Sequence, residues 1–149
     1  FEMWPIMFVL PHRERLRRAA VLAVNDPISL QIFVNAKGDA TGSLYLDDGH
    51  SFDYRTKNAF ISGKFTLSKR MLVYSFEGGT PNSNSAWLER VSIFGYPSKP
   101  TRVVAQVESN ATDSAKPTQL AFKYEPKKKA LVIRKPALPF GQNWHIKIT

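Results

Sequence analysis

Residues 45–54 read YLDDGHSFDY, and this stretch decides the fold that the sequence predicts. Asp48 and Gly49 both tolerate the left-handed backbone conformation that a two-residue hairpin turn requires. The residues before them read as the end of a strand, and the residues after them as a return rich in aromatic side chains. The stretch therefore predicts two neighbouring antiparallel strands joined by a tight Asp-Gly turn.

Most of the remaining chain shows the two-residue repeat of β-strands. Leu30, Ile32 and Val34 alternate with a second face made of Ser29, Gln31, Phe33 and Asn35, and Leu44 and Leu46 alternate with Ser43 and Tyr45. Further strands are predicted at residues 60–67, 71–77, 86–94, 102–107, 120–124, 130–134 and 144–149. Turn signals recur about every ten residues, which favours an all-β fold, an antiparallel β-sandwich of about eight to ten strands.

The strands predicted at residues 60–67 and 71–77 are close enough in sequence to form a hairpin, with residues 68–70 as its connector. Gly63 lies inside the first of these strands. Because glycine weakens a strand interior and often marks a bulge, we expect a β-bulge at this position.

The tryptophans suggest two different roles. Trp87 falls on the same face of its predicted strand as Val91 and Ile93, and Trp144 also alternates with aliphatic residues. Tryptophan rings can stack on sugar rings in binding sites, but this alternation favours a place in the core for both. Trp4 lies outside the predicted strands and is expected to contact a neighbouring domain.

The sequence divides into residues 1–25 and residues 26–149. Residues 14–24 have helical spacing, and Pro27 ends this pattern because it restricts the residue before it. We interpret residues 1–25 as a linker or the end of a preceding domain, and residues 26–149 as the sandwich domain. Because the sequence starts at Phe1, we expect the chain to be a fragment of a longer protein or a processed product.

The composition is that of a globular protein, since hydrophobic residues make up 43% of its 149 residues. The chain contains no cysteine, which excludes disulfides, thiolate catalysis and cysteine-ligated zinc. No apolar run approaches the roughly 18 residues that a membrane helix needs, so the membrane is not an expected partner.

The formal net charge is +9, and basic residues cluster at residues 12–18, 127–129 and 134–135. Such clusters bind nucleic-acid phosphates when folding gathers them on one surface. No RNP-type aromatic motif, helix-turn-helix pattern or zinc knuckle accompanies them. We therefore favour a solvated or subunit-facing surface, and nucleic acid is not an expected partner.

Three stretches resemble the glucosidase II branch of the family-31 glycoside hydrolases. They comprise residues 11–18 with 26–27 and 42–54, residues 87–93, and residues 131–136 followed by Trp144 in the last strand. The Asp-Asp-Gly turn is shared across the family, whereas the other stretches point to the glucosidase II branch. The resemblance implies a distal C-terminal β-sandwich beside a (β/α)₈ catalytic barrel, which removes glucose from N-linked glycans in the lumen of the endoplasmic reticulum.

The residues themselves offer no catalytic pair for this reaction. Glycoside hydrolysis needs two carboxyl groups about 5–5.5 Å apart for retention, or about 6.5–9.5 Å apart for inversion. Asp47 and Asp48 are neighbours, and neighbouring side chains on a strand point to opposite faces. We expect Asp48 to form the turn and Asp47 to bond nearby amides. Asp53 and Asp47 together do not match the spacing of a calcium loop.

Other chemistry is also weakly indicated. His12, His50 and His145 are far apart in sequence, so neither a metal site nor a cofactor is predicted. A nucleophilic serine in a G-x-S-x-G elbow is likewise not indicated. Residues 110–112 read Asn-Ala-Thr, which makes Asn110 a formal acceptor for N-glycosylation in a predicted loop.

The resemblance implies that the catalytic carboxylates belong to the barrel, and that this chain is a non-catalytic accessory domain that stabilises an α-glucosidase. The implied partners are the catalytic barrel and a regulatory β-subunit. The signature residues that the resemblance assigns are Tyr45, Asp47, Asp48, Gly49, Phe52 and Tyr54. The alternative function is an independent module that binds carbohydrate through aromatic residues or polyanions through the basic clusters.

Overall fold

The computed structural model describes residues 8–12, 25–108 and 115–149. These residues form eleven strands and one short helix. The strands are β1 (Phe8–His12), β2 (Ile28–Phe33), β3 (Ala40–Leu46), β4 (Ile61–Ser68), β5 (Met71–Gly79), β6 (Trp87–Phe94), β7 (Val103–Val107), β8 (Thr118–Gln119), β9 (Ala121–Glu125), β10 (Ala130–Pro139) and β11 (Trp144–Ile148), and the helix is α1 (Asp53–Thr56).

The strands form two sheets. The first sheet has the strand order β1-β2-β6-β10-β9, and the second has the order β3-β4-β5-β11-β7-β8. Strands β2 and β6 pair in parallel, and the other paired neighbours are antiparallel. The predicted all-β, antiparallel sandwich is therefore confirmed.

One hydrophobic core joins the two sheets. Leu30 and Ile32 from the first sheet are fully buried, and Leu44 and Leu46 from the second sheet are buried as well. Val34 packs against the same core. The alternation predicted for these strands is confirmed, and the fully buried side chains each contribute roughly 1.5–3 kcal/mol of hydrophobic stabilisation.

Four aromatic side chains, Phe65, Tyr74, Phe140 and Trp144, form the centre of this core. The Tyr74 ring centroid lies 5.3 Å from that of Trp144 and 5.0 Å from that of Phe65. The Tyr74 hydroxyl donates a hydrogen bond of 2.7 Å to the Phe140 carbonyl, and burial raises the pKa of this phenol. The Trp144 indole donates to the Pro139 carbonyl at 2.8 Å. Trp144 is thus in the core as predicted, and the cluster fixes the end of β10.

The hairpin of β4 and β5 forms where the sequence predicts it. Its two loop residues, Lys69 and Arg70, have φ angles of 50° and 61°, as a type I′ turn requires. The register shifts between Ser62 and Gly63, as predicted for this position, but the extra residue is Glu77, so the bulged strand is β5. A Cβ atom at Gly63 would lie 2.2 Å from the Tyr74 hydroxyl oxygen, which explains why only glycine fits here.

The connection between β3 and β4 differs from the predicted tight turn. The two strands do pair antiparallel, with Tyr45 opposite Ser62. However, β3 ends at Leu46 and β4 begins at Ile61, and α1 lies between them. Gly49 has a φ of 72°, as predicted, but Asp48 is not left-handed. The prediction of a two-residue turn is therefore wrong, because a type I′ turn needs both residues left-handed.

The predicted core position of Trp87 is also wrong, since 36% of its surface is exposed. Ile28 pairs with Leu88 and Ser29 pairs with Arg90, which leaves Glu89 as an extra residue in β6. Such a bulge shifts the alternation by one residue. Leu88 consequently joins the core, and Trp87 moves to the surface.

A second irregularity faces this bulge in β10. Arg134 pairs with Arg90 and Leu138 pairs with Leu88. Between these two pairs β10 has three residues, 135–137, whereas β6 has only Glu89. Lys135 and Ala137 in this segment have φ angles of 47° and 52°. Positive φ angles are costly for residues other than glycine. The two bulges open the sheet beside Trp87.

The segment predicted as a linker is only partly described. Strand β1, residues 8–12, pairs with β2 as an edge of the first sheet. The helical pattern at residues 14–24, Trp4 and Asn110 all lie outside the described residues. Within the described residues, no helix has the length and apolar character needed to cross a membrane.

Candidate functional site

The signature residues lie in and beside the connection from β3 to β4, residues 47–60, which we call the signature loop. The Asp47 carboxylate accepts a hydrogen bond from the Gly49 amide at 2.8 Å. The Asp48 carboxylate accepts from the amides of His50 at 3.2 Å and Ser51 at 3.0 Å, and also from the Ser51 hydroxyl. Asp47 bonds a nearby amide as predicted, and both carboxylates hold the loop by binding its own backbone.

These contacts have an electrostatic consequence. The pKa of Asp48 is lowered to about 2, mainly because the Ser51 hydroxyl and amide hydrogen-bond to the ionised form, with a smaller contribution from His50. The Ser51 hydroxyl oxygen in turn accepts from the Asp53 amide at 3.1 Å, which starts α1. The polar residues of the signature loop thus act as a scaffold for the residues that follow.

The scaffold presents aromatic side chains to the surface. Phe52 is 70% exposed and Tyr45 is 53% exposed. Tyr45 stacks on Phe60 at a centroid distance of 5.6 Å, and Phe52 lies 6.3 Å from Tyr54. The Arg55 guanidinium covers the Tyr54 ring at 5.4 Å. Phe52 and Tyr45 are thus two of the three exposed large hydrophobic side chains among the described residues, and both belong to the one segment of residues 45–54.

The arrangement of carboxylates in the signature loop does not suit glycoside hydrolysis. Asp47 and Asp48 are engaged with separate amides, and Asp53 forms an ion pair with Lys57 at 3.1 Å. A general acid and its partner must instead converge on one bond across a cleft. The carboxylates of the signature loop stabilise its conformation instead, so the loop is better suited to contact with another surface than to catalysis.

The histidines lie on different elements. His12 ends β1, His50 donates a hydrogen bond of 2.9 Å from Nδ1 to the Asp48 carbonyl in the signature loop, and His145 in β11 lies 3.7 Å from a Glu108 carboxylate oxygen. Across residues 8–12, 25–108 and 115–149, no three metal-ligating side chains gather into a group that would hold an ion.

Sequence reasoning missed a second surface feature, the Trp87 cleft. It is a cavity of about 310 Å³ between the start of β6 and the end of β10. Its lining residues are Pro81, Asn82, Asn84, Ser85, Ala86, Trp87, Ala137, Pro139, Phe140 and Gly141. The cleft exists because the bulges in β6 and β10 expose Trp87, and no simple periodicity in the sequence reveals two facing bulges.

Basic residues gather next to the Trp87 cleft. Arg90 and Arg134 lie directly opposite each other on β6 and β10. With Glu89 and Lys135 they line a smaller cavity of about 110 Å³. Like charges in directly opposed positions disfavour pairing unless other groups compensate for them. This basic surface is relevant to the polyanion alternative, although Glu89 adds an acidic group to it.

Comparison with known proteins shows where such a domain occurs. No family model matches the chain. Neutral alpha-glucosidase AB of Homo sapiens is 34% identical over 139 residues, which cover 93% of this chain and 14% of that protein. The protein of the same name from Dictyostelium discoideum is 31% identical over 145 residues, covering 94% of this chain and 14% of that protein. A probable glucan 1,3-alpha-glucosidase of Arabidopsis thaliana is 30% identical over 145 residues, covering 94% and 16%.

Solved structures share the fold. The Tris-bound glucosidase II alpha subunit superposes with a TM-score of 0.80 at 24% identity, covering 95% of this chain and 16% of that one. A heterodimeric complex of ER glucosidase II, made of the catalytic subunit and the binding domain of the regulatory subunit, gives a TM-score of 0.78 at 24% identity with the same coverage. The two sheets described above are therefore those of a segment found in these subunits.

The chain spans only 14–16% of the length of the curated relatives named here. The match nevertheless covers 93–94% of this chain in relatives from Homo sapiens, Arabidopsis thaliana and Dictyostelium discoideum. Over the matched residues, the chain belongs to the family of neutral alpha-glucosidase AB and the glucosidase II alpha subunit, the family-31 glycoside hydrolases.

Proposed function

We propose that the chain is the non-catalytic C-terminal accessory sandwich of a glucosidase II-like α-glucosidase. In this proposal the parent enzyme trims glucose from N-linked glycans in the lumen of the endoplasmic reticulum. The catalytic carboxylates belong to its barrel, and this domain stabilises that barrel. Residues 26–149 form the accessory domain, and β1 from the segment predicted as a linker, residues 1–25, adds an edge strand to its first sheet.

The observation that carries the proposal is the signature loop. Asp47, Asp48 and Ser51 bond the loop to itself, and the result is an aromatic surface with Phe52 70% exposed. An isolated domain gains nothing from displaying such a ring in water. A domain that packs against a barrel gains the burial of that ring, roughly 1.5–3 kcal/mol for a phenylalanine. We therefore assign the signature loop to the contact with the catalytic barrel.

A regulatory β-subunit is the second proposed partner. The support is the fold shared with a heterodimeric complex that contains the binding domain of a regulatory subunit. Asn110 is proposed as a glycosylation acceptor, because a luminal protein would meet the glycosylation machinery. Mass spectrometry of the protein expressed in a secretory host would show a glycan on Asn110, and an unmodified Asn110 would contradict this assignment.

The absence of catalysis is tested by assaying the full 149-residue chain on an α-glucoside that releases a chromophore. The expected result is no turnover above the buffer blank, since hydrolysis needs a pair of converging carboxyl groups. A double variant with Asp47→Asn and Asp48→Asn, purified in the same way, is the control for contaminating enzyme. A contaminant would give the same rate in the preparations of the double variant and of the unchanged chain. Turnover that the double variant abolishes would contradict the proposal.

A further inference from the structure

The Trp87 cleft has the properties of a ligand site rather than of an accidental gap. Its volume of about 310 Å³ lies at the lower end of the roughly 300–1,000 Å³ typical of small-molecule sites. The lining combines an aromatic ring and prolines with the polar side chains of Asn82 and Ser85. Such sites are mostly apolar, with a few polar groups that orient the ligand.

The Trp87 ring is held in position at the cleft. Its indole nitrogen donates a hydrogen bond of 2.9 Å to the Glu89 carboxylate, the residue that forms the bulge in β6. This bond fixes the ring and satisfies its only donor, so the remaining apolar face is available for stacking. Because the Trp87 side chain is already ordered, it loses little conformational entropy when a ligand ring stacks on it.

The opposite wall of the cleft is rigid as well. Ala137 has a φ of 52°, a strained conformation that persists only where its surroundings enforce it. The carbonyls of Pro139 and Phe140 accept hydrogen bonds from Trp144 and Tyr74 in the aromatic core. The core therefore holds this wall in place, and the cleft is preformed.

The lining also indicates the chemical class of the ligand. None of the ten lining residues is charged, although the chain carries a net charge of +9. The lining itself therefore offers no cation to an anionic ligand, whereas the charged side chains of Arg90, Arg134 and Lys135 line the neighbouring cavity. Amide and hydroxyl groups beside an aromatic face instead match a neutral sugar, whose hydroxyls hydrogen-bond while its C–H face stacks.

We propose that the Trp87 cleft binds a neutral hexose oligosaccharide, with one ring stacked on Trp87 and its hydroxyls directed to Asn82 and Ser85. None of the residues that line the cleft belongs to the signature loop, although Thr80, next to the lining residue Pro81, donates hydrogen bonds to the Asn58 and Phe60 carbonyls of that loop. The proposed sugar binding and the proposed docking to a barrel involve different side chains, so each is tested by its own variants.

The test uses the full chain labelled with ¹⁵N and titrated with maltotriose and with mannotriose to about 10 mM, the weak-affinity range. The expected result is a saturable shift of the Trp87 indole signal with at least one of the sugars. Its midpoint should not change between low and high salt, because no charges meet. The absence of any shift with either sugar would overturn the proposal.

Variants locate the site. Trp87→Ala should weaken binding at least about tenfold, whereas Trp87→Phe should retain most of it because a stacking face remains. Ser85→Leu should also abolish binding by filling the cleft, and Lys99→Ala, an exposed change elsewhere, is the matched control. Thermal unfolding confirms that each variant folds. Equal binding by Trp87→Ala and the unchanged chain would overturn the proposal. So would a chain that binds heparin, in a manner abolished by salt, but neither of the two sugars.

Discussion

Gly63 and Gly49 show how two glycines of one chain serve different physical needs. Gly63 lets β4 pass the Tyr74 side chain, because an added Cβ atom would lie 2.2 Å from the tyrosine hydroxyl oxygen. Gly49 has open space around it but a φ of 72°. The first position is limited by volume in the core, and the second only by the backbone conformation.

This difference predicts two magnitudes. Gly63→Ala should lower the free energy of unfolding by about 1–3 kcal/mol, since the core must shift to accept the methyl group. Gly49→Ala should cost only about 1 kcal/mol, the penalty for a left-handed backbone. Urea denaturation of both variants provides the measurement. Equal costs, or a larger cost at Gly49, would contradict the account.

Asp48 and Ser51 give a pH-dependent prediction. The folded pKa of Asp48 is about 2, below its usual value of 3.8, so the ionised carboxylate stabilises the folded signature loop. This stabilisation is fully present at pH values above the pKa of Asp48 in the unfolded chain, and it is lost as the pH falls through the pKa of Asp48 in the folded chain. Ser51→Ala removes the hydroxyl that contributes most, so the pKa of Asp48 should rise toward 3.8.

A carboxyl-detected NMR titration of the two proteins measures this shift. An Asp48 pKa that stays near 2 in Ser51→Ala would show that other groups hold the carboxylate.

Among the elements, the hairpin of β4 and β5 carries avoidable strain. Lys69 and Arg70 both adopt positive φ angles, where Asn-Gly is the preferred pair for a type I′ turn. Replacing Lys69 and Arg70 with Asn and Gly should therefore raise the free energy of unfolding by roughly 1 kcal/mol. The midpoint of thermal unfolding should rise accordingly, and a lower midpoint would contradict this interpretation of the turn.

The elements also show what a sequence of this kind can and cannot predict. Leu30 and Ile32, like Leu44 and Leu46, are two residues apart and are therefore predicted to share the inner face of their strand. All four are buried in the structure. The position of Trp87 was not predictable in this way, because the extra residue Glu89 shifts the period without changing the composition. The conformation of the signature loop was not predictable for a related reason. It depends on hydrogen bonds from loop amides to Asp47 and Asp48, and hydrophobic periodicity does not report such bonds.

For the whole molecule, the two surface features lie on different elements. The signature loop extends from the second sheet and displays Phe52 and Tyr45, and the Trp87 cleft opens at the bulges of the first sheet. We propose that the signature loop contacts the catalytic barrel while the cleft contacts carbohydrate. In this proposal the loop of the second sheet faces the enzyme, and the cleft of the first sheet stays accessible.

The measurement that tests this most directly is the affinity of the full chain for a separately expressed (β/α)₈ barrel segment of a family-31 α-glucosidase, determined by isothermal titration calorimetry. The expected result is measurable binding that Phe52→Ala weakens at least about tenfold, while Lys99→Ala binds normally and both variants unfold at the same temperature as the unchanged chain. Binding that is equally strong with Phe52→Ala, or no binding at all, would contradict the central claim that the signature loop docks this sandwich on a catalytic barrel.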